Sequence, residues 1–248
     1  MQKIIIHIPH ASDHIPSYEG YVADRDTIDG EILKLTDWYT DDLFNIPGIE
    51  PLIVKADFSR VFCDVERFEN DADESMANQG MGVLYTTTDN GASLREVTPQ
   101  LREKILNEFY RPHHQRLTQV VAQQLELNGQ AIIIDAHSFS NTPFIRDHDQ
   151  NPSRPDFCLG TNTFHTPKAW IQFAKDYFRE KGHSLAVNRP YAGTIVPLDY
   201  YEKDDRVKSM MLEVNRSLYM EEGTKKRLKA YNLIKMLVGD FLKKLQKL

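Results

Sequence analysis

The chain has 248 residues, 41% of them hydrophobic, enough to bury a sizeable core as a single α/β domain over residues 1–248. Thirty Lys and Arg stand against 36 Asp and Glu, and the net charge of −6 argues against nucleic acid as a partner, since no phosphate-tracking surface is expected. The two cysteines, Cys63 and Cys158, lie in apolar stretches, and neither a signal peptide nor a membrane-length apolar run is evident. A cytoplasmic protein with reduced core thiols and no membrane contact is therefore expected.

Apolar runs at residues 3–8, 51–56, 131–135, 156–160, 184–187 and 208–214 read as strands, separated by segments with helical spacing. That alternation predicts α/β architecture: a mostly parallel central sheet with helices on both faces. The first run opens onto Pro9-His10-Ala11-Ser12. Between residues 59 and 67 the alternation reads as a further strand, with Arg60, Asp64 and Glu66 on one face and Arg67 at its exit. Residues 70–91 and 140–155, rich in Asn, Asp, Gly and Pro, read as long loops of the kind that carry function. Thr98-Pro99 and Thr166-Pro167 mark helix starts, each a hydroxyl cap before a first-turn proline, and Gly182 closes the second helix. Pro112 predicts a break near Tyr110-Arg111. Residues 224–248 read as an amphipathic helix with Leu228, Tyr231, Ile234, Leu237, Val238, Phe241, Leu242 and Leu245 on its apolar side.

The chemistry concentrates at strand ends, where polar groups of an open α/β sheet project into the ligand crevice. Ala131-Ile132-Ile133-Ile134 runs into Asp135-Ala136-His137-Ser138, so His10 and His137 can meet from two strand ends, and a pair of imidazoles there suits zinc. Each histidine alone also fits a hydrogen-bonded structural residue. Asp135, on the same strand face as His137, is placed to support it from behind. His7 could compete as a ligand but its strand position points to the interior. Glu213 follows the apolar Ser209-Met210-Met211-Leu212, where an ionised side chain is costly without a partner or a task. It is either a proton-transfer group or an ion-pair partner of Arg216 or Arg189. Arg60 and Arg67 suit bidentate recognition of a carboxylate. The turn-forming loop 188–194, containing Asn188, Arg189 and Gly193, is expected to cover the pocket, with Asn188 and Arg189 as substrate-binding candidates.

Five motifs, in order along the chain, resemble the N-formylglutamate amidohydrolase family. They are Pro9-His10-Ala11-Ser12, the run from Ser59-Arg60 through Asp64-Val65-Glu66-Arg67, Arg111-Pro112-His113-His114, Asp135-Ala136-His137-Ser138-Phe139, and Leu212-Glu213-Val214-Asn215-Arg216. That family is similar in fold to the zinc carboxypeptidases and to aspartoacylase, which implies a three-layer sandwich around a mixed, mostly parallel sheet. The resemblance further implies a zinc ion held by His10, His137 and a carboxylate, with Glu213 as the base and Arg60 helping to steady the oxyanion. The substrate implied is a small acylated amino acid that loses a formyl or similar group. By the same comparison the third ligand is Asp37, with a helix beginning at Thr36-Asp37-Trp38, and Asp13 as the alternative. Asp64-Val65-Glu66-Arg67 is similar to the Asp-x-Asn-Arg run with which aspartoacylase binds a carboxylate, so Arg67 would bind substrate and Asp64 would support the site. Glu66 replaces the asparagine, and its charge disfavours a dianionic substrate unless Arg60 or Arg189 offsets it. His114 matches the family's Pro-aromatic-His and is a candidate substrate donor. The rival readings are a zinc peptidase or deacylase for another acylated amino acid, and a metal-free protein that binds small carboxylates. Oligomeric state is not legible.

Overall fold

A computed structural model describes residues 3–46, 48 and 50–248. Six strands form one sheet: β1 (Ile5–Ile8), β2 (Leu52–Lys55), β3 (Ala131–Phe139), β4 (Phe157–Gly160), β5 (Leu185–Val187) and β6 (Val207–Asn215). Their order is β2-β1-β3-β6-β4-β5. Neighbours run parallel except at the β6–β4 pairing, which is antiparallel, so the sheet is mixed but mostly parallel. All nine residues of β3 are buried, as its near-continuous apolar run demands of a strand covered on both faces.

The pleat sorts side chains between two layers of helix. Ile4, Ile6 and Ile8 of the first strand segment, with Ile132, Ile134 and Ala136 of β3, face a core completed by Trp170, Phe178 and Phe241. The helices on that face are α2 (Thr40–Leu43), α5 (Lys168–Glu180) and α6 (Tyr231–Leu245). Ile5, Val54, Ile133 and Val207 point the other way, onto Leu117 and Val121 of α4 (Arg111–Asn128). His7, Asp135 and His137 share the parity of Ile5 and Ile133. The strand pattern that builds the core therefore also delivers the polar residues to the α4 side. A third apolar cluster, around Phe58, Phe62 and Tyr85, joins α1 (Arg25–Leu35) and α3 (Pro99–Ile105) to the loops above the sheet.

Several boundaries differ from expectation. Residues 59–67 form a succession of turns rather than a strand. Val61 N–H donates to Ser59 Oγ and Glu66 N–H donates to Asp64 Oδ1, the local side-chain bonding by which Ser and Asp compete with a ladder, and the amides of Phe62 and Cys63 both donate to the Ser59 carbonyl. No helix starts at Thr36-Asp37-Trp38. Thr36 ends α1 with its amide on Ile32 O, and α2 begins only at Thr40, after Tyr39 turns through a left-handed φ of 67°. At α5 the cap residue is Pro167, because the Thr166 hydroxyl donates to Ser209 O of β6 instead. Thr98 caps α3 as expected. A π-helical turn, Leu106–Tyr110, separates α3 from α4 just ahead of Pro112. The wider turn sits where proline cannot donate to the carbonyl four residues back. Helix α6 starts at Tyr231, later than expected, since Lys226–Arg227 (β8) first pairs with Met220–Glu221 (β7). Among the described residues no helix is long and apolar enough to cross a membrane.

Candidate active site

His10 lies two residues past β1, and its carbonyl accepts the Asp37 amide at 2.9 Å, which fixes the connector between α1 and α2 against the strand end. His137 projects from β3, beside Glu213 in the register of β3 and β6. The Nδ1 atoms of His137 and His10 lie 3.1 and 3.6 Å from Asp37 Oδ2, and the two rings sit 5.0 Å apart, centre to centre. His10, Asp37 and His137 each offer a ligand atom within 4.8 Å of the others, and all three are buried.

Each ring is held from behind by a carboxylate. His10 Nε2 contacts Asp64 Oδ1 at 2.8 Å, and His137 Nε2 contacts Asp135 Oδ1 at 3.0 Å. With Nε2–H donated outward, the inward Nδ1 is the nitrogen left to offer a metal its lone pair, although at His137 it here hydrogen-bonds Asp37 Oδ2 at 3.1 Å. His10 Nδ1 is buried with no hydrogen-bond partner. An orphaned imidazole nitrogen facing a second imidazole and a carboxylate is a donor set that fits zinc. Asp13, the alternative ligand, is instead ion-paired with Lys225 at 2.7 Å on the surface.

The local field favours positive charge. Burial works against the ionised Asp37 carboxyl, but His10 and His137 hold its pKa well below the ordinary carboxylate range. Asp64 is lowered likewise, against burial, chiefly by Arg60 and His10. Burial alone would lower the His137 pKa, yet Asp135 and Asp37 raise it well above the ordinary imidazole value. Glu213 goes the other way. Burial pushes its carboxyl up to about 8, with the charges of Asp37 and Asp135 adding and those of His137 and Arg60 opposing, and Oε2 is buried without a partner.

A cavity of about 470 Å³ opens over these groups, with Arg60, Glu66, Arg67 and Arg216 among its lining residues. Arg60 is committed to Asp64 through Nε and Nη2, at 3.1 and 2.9 Å, and to the Tyr85 hydroxyl. Arg67 is less engaged: its Nε is 3.6 Å from Asp64 Oδ2 and makes no hydrogen bond, while its carbonyl accepts the Tyr110 hydroxyl at 2.7 Å. His114 is not among the lining residues. Its ring packs 4.3 Å from Tyr110, and burial pushes its pKa down to about 4. Asn188 and Arg189 also miss the cavity. Asn188 bonds to Thr161, and Arg189 to Asp149 and the Ser153 carbonyl. Their loop does cover the site, through Pro190, Tyr191 and Ala192. Gly193 turns through a left-handed φ of 91°, and its carbonyl lies where a Cβ on Gly160 would be, so Gly160 must lack a side chain.

Three features escaped sequence reasoning. Arg216, one of two arginines weighed as an alternative ion-pair partner of Glu213, lies 3.7 Å from Asp37 Oδ1 and donates to Lys34 O at 2.6 Å. Loop 140–155 supplies Phe144, Arg146 and His148 to the cavity wall. Nothing in the spacing of a turn-rich loop says which of its side chains turns inward. His113, beside the noted His114, contacts His7 Nε2 at 2.8 Å, and the helical face of α4 was the signal for it.

A sequence model of N-formylglutamate amidohydrolase matches residues 2–220. The chain is 27% identical over 229 residues to the N-formylglutamate deformylase of Pseudomonas putida, covering 88% of this chain and 82% of the relative. Among solved structures it is similar to an N-formylglutamate amidohydrolase from Ralstonia eutropha JMP134, with TM-score 0.86 and 24% identity over 99% of this chain and 93% of that one. A protein from Agrobacterium tumefaciens shares the fold more distantly, with TM-score 0.66 and 16% identity over 99% and 92% of the two chains. With the match running through both histidines, Asp37 and Glu213, the chain belongs to the N-formylglutamate amidohydrolase family.

Proposed function

We propose that this protein hydrolyses N-formyl-L-glutamate to formate and L-glutamate, using a zinc ion held by His10, Asp37 and His137. The observation that carries the reading is the convergence of His10 Nδ1, His137 Nδ1 and Asp37 Oδ2 beside Glu213, whose Oε2 is buried without a hydrogen-bond partner. The deformylase name of the Pseudomonas putida relative supports the choice of acyl group. Two buried free cysteines support a cytoplasmic location, and the cavity of about 470 Å³ supports a small-molecule substrate.

Zinc, when bound, supplies Lewis acidity toward the formyl carbonyl and the attacking water. The chain's own groups do the rest. Glu213, once ionised, can take a proton from water and return it to the departing amine nitrogen. Burial pushes its carboxyl up to about 8, and the charge of a cation held by His10, Asp37 and His137 would bring it back down toward the range where it ionises near neutral pH. Asp64 and Asp135 hold the two imidazoles in the required tautomer. Arg67 receives a substrate carboxylate, and Arg60, anchored by Asp64, adds positive charge where the oxyanion develops.

The test is formate release from N-formyl-L-glutamate, run beside acetyl and succinyl analogues and an uncharged formyl amino acid. Preferential release of formate from the acidic substrate supports the reading. Binding of that substrate without turnover would instead make the protein a carboxylate-binding module.

A further inference from the structure

Behind the site a second buried cluster remains that the proposed mechanism does not use. His7, with no exposed surface, places Nδ1 2.8 Å from Asp135 Oδ1 and 3.1 Å from Glu66 Oε1, while its Nε2 is 2.8 Å from His113 Nε2. Asp135 is fully engaged, since Oδ1 also meets His137 Nε2 and Oδ2 accepts the Ile195 amide at 3.1 Å. Glu66 is not. Its Oε1 is buried without a hydrogen-bond partner, and its side chain lines the cavity beside Arg67.

We infer that His7 is a positioning and charge-compensating residue: a buried imidazolium that orients Asp135 behind His137 and neutralises Glu66 in the cavity wall, leaving the charge of Arg67 to a substrate carboxylate. The inference rests on the proposed carboxylate substrate for its last clause only. An imidazolium donates from both nitrogens, which satisfies Asp135 through Nδ1–H and the lone pair of a neutral His113 through Nε2–H. Burial would lower the His7 pKa, but its hydrogen bond to Asp135 and the charges of Asp135 and Glu66 raise it to about 9. His113 is held down by burial and by His7's own charge, as an acceptor must be. The acidic residue at position 66 is therefore offset by a histidine of β1, not by Arg60, whose guanidinium bonds Asp64, or by Arg189, which pairs with Asp149. The same three side chains also offer ligand atoms within 4.8 Å of one another, so a second cation is the rival occupant. The 2.8 Å contact between His7 Nδ1 and Asp135, whose Oδ1 already accepts from His137, fits a shared proton better.

Ring nitrogen shifts of ¹⁵N-histidine-labelled, zinc-loaded wild type near neutral pH decide the protonation, with the His7 signals assigned by their loss in His7→Gln. Two protonated nitrogens support the inference. A neutral or metal-bound ring, or a second equivalent of metal lost in His7→Gln, overturns it. Kinetically, His7→Gln is expected to raise KM for N-formyl-L-glutamate about tenfold or more, with adding Glu66→Gln bringing it back to within about threefold. An unchanged KM, or one that Glu66→Gln leaves high, also overturns it. If the wild type fails to turn over N-formyl-L-glutamate, the functional reading falls, while the ring shifts still decide the state of His7.

Discussion

Glu213→Gln separates stability from function, because the carboxyl it replaces is buried and its Oε2 has no hydrogen-bond partner. The folded protein holds the Glu213 proton until about pH 8, whereas the unfolded chain begins to release it near its ordinary value of 4.5. A carboxyl raised in this way costs the fold stability progressively as pH climbs between those values, because over that interval the unfolded state binds fewer protons than the native one. At pH 7 the cost has a ceiling of about 3 kcal/mol. Glutamine keeps the shape and cannot ionise, but its amide adds donors that the site must satisfy, so a net gain of at least about 1 kcal/mol is expected. Denaturant unfolding of chelator-treated wild type and variant at pH 5 and pH 7 reads the difference directly, since every other titrating group is common to both. The variant is expected to be more stable at pH 7, with the gain shrinking at pH 5, while activity of the zinc-loaded enzyme falls about 10²- to 10⁴-fold for want of a proton acceptor. Equal stability at both pH values would refute the buried-carboxyl argument, and retained activity would refute the assignment of the base.

Arg67→Ala is expected to raise KM for an acidic acylated amino acid by roughly 10- to 100-fold, the loss of one charge-assisted contact, with little effect on an uncharged formyl substrate. Equal losses on both would remove Arg67 from carboxylate recognition. Phe241, fully buried on α6 with its ring stacked 5.4 Å from Phe173 and tilted against Phe178 at 5.0 Å, should cost about 3–5 kcal/mol when cut to alanine. A loss under about 1 kcal/mol in urea unfolding would mean that this core layer is not packed as described. Burial pushes the Cys158 thiol up to about 12 and the Cys63 thiol up as well, so both should resist a thiol reagent in the native protein and react once it is denatured. Prompt stoichiometric labelling of the native chain would contradict that.

Strands were the most legible part of this fold because burial on both faces leaves unbroken runs of β-branched residues, as at Ile132-Ile133-Ile134. The same runs announced His137 and Glu213, since a charged residue inside an apolar strand has few structural excuses. Residues 59–67 misled for a physical reason. Alternating charge looks alike in a strand and in a turn whose Asp and Ser side chains bond their own backbone, and only tertiary contacts from His10 and Tyr85 show that Asp64 points inward. Asp37 was legible through resemblance and not through its surroundings, because the helix expected around it is a connector pinned to His10 by one backbone hydrogen bond. The compensation of Glu66 by His7 needed coordinates. A strand histidine of inward parity reads as core, and nothing local to it signals two carboxylates arriving from distant segments.

Anomalous diffraction at the zinc edge, from crystals of protein shown to be active, is the most direct test of the account. It predicts one strong peak between His10 Nδ1, His137 Nδ1 and Asp37, absent in Asp37→Ala. Active crystals with no peak there, or with their only peak among other side chains, would contradict it.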